Sequence, residues 1–259
     1  RDLPIWSSKP FRDAEAQDAD PQVLLFADVF NRYFEPENLR AAIRVLRSMG
    51  LRVAVAQDGS GTALDCGRTL LAVGCVEDAR KQAERVIDAT REAVANGVAV
   101  VGLEPSSILT FRDEFLAVCP GPDAEALAKA THTFEEFLAA RTDLALKPVH
   151  APIYVHGHCH QKAHDAVTPI LELLRRIPEA QVTMIESSCC GMAGAFGYAP
   201  ETIDISLKMA NLDLFPALDA IPEDALVVAD GTSCRHQIAD GTSRKAMHVA
   251  RLLDQAIDG

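Results

Sequence analysis

Aromatic side chains are scarce in this sequence, at 5% of 259 residues, with a single Trp and three Tyr. A core must therefore be assembled from Ala, Val, Leu and Ile. No apolar run approaches the ~20 residues of a membrane helix, and no stretch has the form of a signal-peptide h-region, so an integral membrane segment is not expected here. Positive charge is in deficit. The 25 Lys and Arg face 37 Asp and Glu, giving a formal net charge of −12, which disfavours nucleic acid and anionic lipid as partners. Several signatures are also missing: a Walker A loop, a G-x-G-x-x-G turn opening a helix after a strand, a nucleophile elbow and the C-x2-C-x2-C-x3-C-P run of bacterial ferredoxins. Gly59-Ser60-Gly61 is an ordinary turn signal.

What is present is a packed globular composition, with 48% apolar and 24% charged residues. The length suits one large domain or two small ones. The first residue is Arg rather than Met, which reads as a piece excised from a longer chain. Seven cysteines occur, Cys66, Cys75, Cys119, Cys159, Cys189, Cys190 and Cys234. An odd number at irregular spacing argues against a secreted disulfide scaffold and for a reducing compartment, the cytoplasm. There, clustered cysteines signal metal or redox chemistry, while isolated ones pack as small hydrophobes. Cys75 and Cys119 are expected to be of the packing kind, and His164 to be surface or helix packing.

After an aperiodic, charged stretch over residues 1–20, expected to be an arm or linker, strand and helix signals alternate. Strands are expected at 23–27, 52–56 and 98–103, with helices at 36–49 (Pro36 at its start, Gly50 past its end) and 76–96, closed by Gly97. The second half repeats this plan, with strands at 152–155, 181–185 and 226–229 and helices at 169–177, 201–212 and 244–257. Strands apolar on both faces and alternating with helices indicate parallel sheets covered by helices. FADVF (26–30) aligns with HGHCH (156–160), and the Cys66-Gly67 pair with Cys190-Gly191. VGLEPSS (101–107) aligns with VADGTSC (228–234), so Val29, Asp65 and Ser107 stand where the second half has Cys159, Cys189 and Cys234. The expected organisation is an α/β protein of two pseudo-repeated modules, 21–147 and 148–259, each a small parallel sheet covered by helices.

In the second module the cysteines follow C-x29-CC-x43-C. Cys159 follows the first strand, Cys189 and Cys190 the second, and Cys234 the third. Ligands gather at the carboxyl ends of parallel strands, so four thiols far apart in sequence are expected to converge. Four thiolates suit an iron–sulfur cluster or Zn²⁺. Gly191, Gly194 and Gly197 let backbone N–H groups approach an anionic centre. His156, His158, His160 and His236 flank the thiols as possible ligands or hydrogen-bond donors, and His158 or His160, adjacent to Cys159, is the expected contact. Cys66 lacks the other thiols and reads as structural, unless it reaches a cleft shared by the modules. No catalytic residue is assigned.

HGHCH, ESSCCGMAGAFGY and ADGTSCRHQI resemble the cysteine-rich CCG domain. It is found in the B subunit of heterodisulfide reductase, in glycolate oxidase and lactate-utilisation iron–sulfur proteins, and in the C subunit of anaerobic glycerol-3-phosphate dehydrogenase. Together with FADVFNRYFEPENLRAA and GLEPSSILTFRDE, residues 21–259 resemble in particular the C-terminal part of FAD-linked oxidases similar to D-2-hydroxyglutarate and D-lactate dehydrogenases. Two departures stand out. The family pattern ends in C-x-x-C, but three places after Cys234 stands Gln237, and the first module has Asp65-Cys66 and Ser107 where cysteines are expected.

The resemblance implies one [4Fe–4S]-type cluster held by Cys159, Cys189, Cys190 and Cys234. It would take electrons from FAD on a domain absent from these residues, by way of a ferredoxin-like module of the same parent chain, and deliver them to an acceptor. By itself the chain would be inactive on substrate. Any membrane association would be made through partners. Two other readings stay open: a Zn²⁺-binding structural or docking module, and a metal-free thiol–disulfide domain using the vicinal Cys189-Cys190 pair.

Overall fold

The structure, a computed structural model, describes residues 1–257. The chain forms two compact units, one of Trp6–Asp143 and one of Arg1–Ile5 with Leu144–Gly259. Positions 258 and 259, the end of the expected second module, lie outside the described residues. Within residues 1–20 one short 3-10 turn forms at Asp13–Glu15, Phe11 and Ala16 are buried, and Gln17 bridges to Ala54.

The first unit holds β1 (Val23–Phe26), β2 (Val53–Val55), β3 (Ala99–Gly102) and β4 (Thr131–Thr133) in the order β2-β1-β3-β4, all parallel. The second holds β5 (Ile153–Val155), β6 (Val182–Met184), β7 (Leu226–Val228) and β8 (Ala246–Met247) in the order β6-β5-β7-β8, again all parallel. Parallel neighbours need crossover connections, and the helices supply them. Pro36–Ser48 starts on a proline whose missing N–H costs nothing there, and it buries Leu39, Ile43 and Leu46. Each such side chain contributes about 1.5–3 kcal/mol on burial. The two-module α/β architecture expected from the alternating pattern is the one found.

The strand registers make the duplication a residue-level correspondence. Val23 pairs with Val53 and Ala99, and Ile153 pairs with Val182 and Leu226. Superposing the two sets places Asp28 on His158, Val29 on Cys159 and Ser107 on Cys234. Asp28 and His158 are both helix N-caps whose side chains accept backbone N–H groups. Gly67 and Gly191 share a left-handed conformation, at φ +71° and +83°.

Two strands were not expected. β4 reads THT and β8 only AM, too short and too polar to register as apolar runs. The single helix expected over 244–257 is consequently corrected. β8 occupies its start, and the helix proper is Val249–Ala256, begun where the His248 side chain accepts the Ala250 N–H at 3.0 Å.

Candidate metal centre

In the second unit the chain leaves β5 for β6 on one side and then crosses to β7 on the other, so the loops diverge between β5 and β7. That divergence is the usual ligand crevice of an open parallel sheet. Cys159 is the first residue of the helix Cys159–Ala163 that follows β5, and Cys189 and Cys190 lie in the loop after β6. Cys234 sits in the first turn of the helix Thr232–Gly241 after β7.

The four thiols hydrogen-bond in series, Cys159 to Cys189, Cys189 to Cys190 and Cys190 to Cys234. Cys190 and Cys234 are buried, Cys189 is half-buried and Cys159 is exposed, so the series runs from the interior to the surface. The thiols of Cys159 and Cys190 hold Cys189 well below the usual thiol range, and Cys190 does the same for Cys234. The same hydrogen bonds hold the Cys159 and Cys190 thiols up. Sulfurs this close can be thiolates together only if a cation stands among them.

Backbone N–H groups reinforce the anionic sulfurs. Gly191 N donates to Cys189 Sγ at 3.3 Å, Met192 N to Cys190, and His160 N to Cys159. A Cβ on Gly191 would overlap the Ser206 carbonyl oxygen, so only glycine fits there. Gly194 differs, since its Cβ position faces open space. Gly197 packs against Met192. Gly231 is a close-approach glycine too. A Cβ there would overlap the His158 ring and lie 3.2 Å from Cys234 Sγ.

The histidines separate by geometry. His156 is buried, with its Nδ1 at 2.9 Å from Ser187 Oγ, and its ring hydrogen-bonds the Cys234 thiol. Donor atoms of His156, Cys190 and Cys234 all lie within 4.8 Å of one another. His158 Nδ1 accepts the His160 N–H at 3.1 Å and stands 3.9 Å from Cys159 Sγ, and burial lowers its pKa. The half-buried His160 sets its ring edge-on to that of His158 at 5.2 Å. His236 is two residues from Cys234 on the same helix, and its Nδ1 faces Tyr198 OH at 3.3 Å. The donor atom of His156 groups with the two buried thiols, and His158 also lies near Cys234.

Supporting residues that the sequence did not single out tie the cysteine segments together. Asp230 is fully buried and accepts from Gln161 Nε2 at 3.1 Å and from Val249 N at 3.0 Å, with His248 Nε2 at 3.6 Å. Arg235 Nη1 donates to Ala229 O at 2.9 Å and Asp230 O at 2.7 Å, clamping the end of β7. Lys162 Nζ donates to the carbonyls of Ser187 and, at 2.8 Å, Ser188, joining the Cys159 helix to the Cys189 loop. A polar residue directly after a parallel strand, as in ADGTSC, was the one available signal. Gln237 is also buried, but its Nε2 donates to Ser206 O at 3.1 Å rather than to a sulfur.

In the first unit Cys66 lies in the apolar core beside Ser107, and burial pushes its thiol up to about 12. Cys119 is partly buried at the margin of that core. Cys75 is exposed at the N-cap of the helix Val76–Ala95, so the expected core packing is corrected for it. Its thiol starts a helix at the surface, where nothing apolar covers it. Cys75→Ser is expected to change stability by less than about 0.5 kcal/mol. Thermal unfolding checks this, and a Tm loss above about 4 °C would contradict it.

Comparison with known proteins bears on this arrangement. Residues 153–239 match the family described as a cysteine-rich domain, CCG. The chain is 32% identical to the C subunit of anaerobic glycerol-3-phosphate dehydrogenase from Escherichia coli K12, across 99% of this chain and 66% of that protein. It is 27% identical to D-2-hydroxyglutarate dehydrogenase of Pseudomonas putida, across 94% of this chain but 23% of that protein. It is 26% identical to lactate utilization protein A of Bacillus velezensis, across 90% of this chain and 99% of that protein. The chain thus spans just under two thirds of the first of these, and less than a quarter of the second. By name, the two dehydrogenase relatives are a subunit of one dehydrogenase and a second dehydrogenase. No helix among the described residues is long and apolar enough to cross a membrane.

Proposed function

We propose, from the premise that this chain carries a cysteine-rich domain of the CCG family at residues 153–239, that its second unit holds an iron–sulfur centre and relays electrons for a flavin-dependent dehydrogenase. Cys159, Cys189, Cys190 and Cys234 are the ligands in this reading, and the centre is of [4Fe–4S] type. The observation that carries it is the unbroken series of four sulfurs at the ends of three neighbouring parallel strands. The buried His156 imidazole, its donor atom within 4.8 Å of the Cys190 and Cys234 sulfurs, supports a metal there as well.

An iron–sulfur cluster supplies one-electron transfer when bound. The chain's own residues do the rest. N–H groups of His160, Gly191 and Met192 stabilise negative charge on sulfur and so favour the more reduced, more anionic state. Asp230, Arg235 and Lys162 fix the three cysteine segments to one another, which limits reorganisation on electron transfer. Cys159 brings the series to the surface, where a partner's redox group can approach. The acidic chain, at −12, suits a basic docking face on that partner.

The parent activity belongs to the same reading. FAD on another domain, with a ferredoxin-like module beside it, would oxidise a 2-hydroxy acid or similar secondary alcohol and pass the electrons here, in the cytoplasm. Glycerol 3-phosphate, 2-hydroxyglutarate and lactate, the compounds in the relatives' names, share that chemistry.

Anaerobic purification followed by iron and acid-labile sulfide analysis and EPR tests the proposal. Iron and sulfide in equal amounts, with a paramagnetic state reached on oxidation or reduction, is the expected result. Folded protein that takes up no iron on anaerobic reconstitution overturns it. Stoichiometric zinc that iron does not replace would substitute a structural metal site for the relay.

A further inference from the structure

We propose that His156 is itself a ligand of the centre, through Nε2, so that the site is a mixed thiolate–imidazole one. This rests on the metal-binding reading above and adds to it a donor that is not a cysteine. His156 is 1% exposed, and its ring hydrogen-bonds Ser187 and the Cys234 thiol. A buried imidazole held against a thiolate is placed where a metal takes both as ligands. The donor atoms of His156, Cys190 and Cys234 fall within 4.8 Å of one another, a span that a metal ion or one corner of a cluster can bridge.

The other ring nitrogen is already arranged for this role. Nδ1 lies 2.9 Å from Ser187 Oγ, two residues before Cys189 on the same loop. Ser187 Oγ also donates towards Ile185 O at 3.5 Å, which leaves its lone pairs to accept the Nδ1 proton. With Nδ1 engaged by Ser187, Nε2 is the nitrogen left for the Cys190 and Cys234 side. Metal-binding histidines commonly donate their second N–H in this way, which fixes both tautomer and ring orientation.

The internal repeat agrees with this reading. In the superposed registers Phe26 of the first unit takes the place of His156. Phe26 is an ordinary core residue packed edge-on to Phe111 at 4.8 Å. The first unit also has Val29, Asp65 and Ser107 at the positions of Cys159, Cys189 and Cys234. The imidazole is thus present in the module that has the thiol set and absent from the one that lacks it, as are those of His158 and His160, which fall on Asp28 and Phe30. Gln237 does not fill the place of a further donor, since its amide is engaged by Ser206.

The test is pulsed EPR (ESEEM or HYSCORE) on the full chain, reconstituted anaerobically with iron and sulfide and labelled with ¹⁵N-histidine. A strongly coupled histidine nitrogen is expected in the wild type. It should persist in His158→Gln and His160→Gln and disappear in His156→Cys, which keeps a ligand and is expected to keep its iron. The wild-type spectrum decides whether any histidine nitrogen is bound, and its persistence in both His158→Gln and His160→Gln keeps the assignment testable if His156→Cys fails to fold. Iron and sulfide bound with no coupled histidine nitrogen overturns this ligand while leaving the thiolate centre intact. Protein that binds no iron overturns the centre and this ligand together. A coupling that survives His156→Cys but vanishes in His158→Gln assigns the wrong histidine and overturns the proposal.

Discussion

Cys234→Ser is expected to strip the protein of its iron, to about a tenth of the wild-type content or less, with the two sheets intact. Cys234 is the most enclosed of the four sulfurs, at 1% exposure, and its neighbours on the inner side are Cys190 and His156. A serine there has nearly the same volume but is a poor ligand for iron and is not ionised at neutral pH. Loss of a residue that merely orients a ligand already costs 10–100-fold in metal affinity, so loss of a buried ligand should cost at least that. The buried hydroxyl adds on the order of 1–3 kcal/mol if left unsatisfied. Iron analysis beside far-ultraviolet circular dichroism separates loss of the centre from loss of the fold. Cys190→Ser should behave alike. Cys159→Ser, at the exposed end, should retain more iron because water can take the open position. A metal-free thiol enzyme would reverse this order, with Cys234→Ser barely felt and the Cys189-Cys190 pair indispensable. Full iron retention in Cys234→Ser would remove the central assignment.

Gly191→Ala is expected to destabilise the second unit by about 3 kcal/mol or more and to release the centre with it. Two costs add. The residue holds φ at +83°, where an L side chain costs roughly 1–2 kcal/mol. Its new methyl would also overlap the carbonyl oxygen of Ser206, backbone of the helix Ile203–Ala210 that cannot swing aside as a side chain can. Relief requires the loop to move, and the loop carries Cys189, Cys190 and the N–H that donates to Cys189 Sγ. Gly194→Ala is the matched control. It has φ +61° but open space around its Cβ, so only the conformational cost of roughly 1–2 kcal/mol applies. Urea denaturation of the two variants measures the difference, and equal midpoints would show that the Ser206 contact carries no weight.

The strands on which the site is built were legible because their signals are local. VLLFA, VAVVGL and LVVA are short apolar runs bounded by turn residues, and the helices between them have Pro and Gly at their ends. β4 and β8 were not, since THT and AM are strands only because a neighbour's edge pairs with them. The cysteine set was legible for the same local reason, each thiol lying just past a strand. The placement of each histidine was not. His158 and His160 flank Cys159 in sequence, but His158 Nδ1 is committed to capping its own helix and His160 turns towards His158.

The amino-acid order by itself determined the alternation of strands and helices, the duplication and the arrival of four thiols at strand ends. All three follow from periodicity and from residues within a few positions of each other. Only the tertiary structure decided which thiols are enclosed, that Asp230 and Lys162 bind the cysteine segments together, and that His156 faces Cys190 and Cys234. Those depend on β6, β5 and β7 lying side by side, an adjacency of sheet order that separations of 29 and 43 residues along the chain do not reveal.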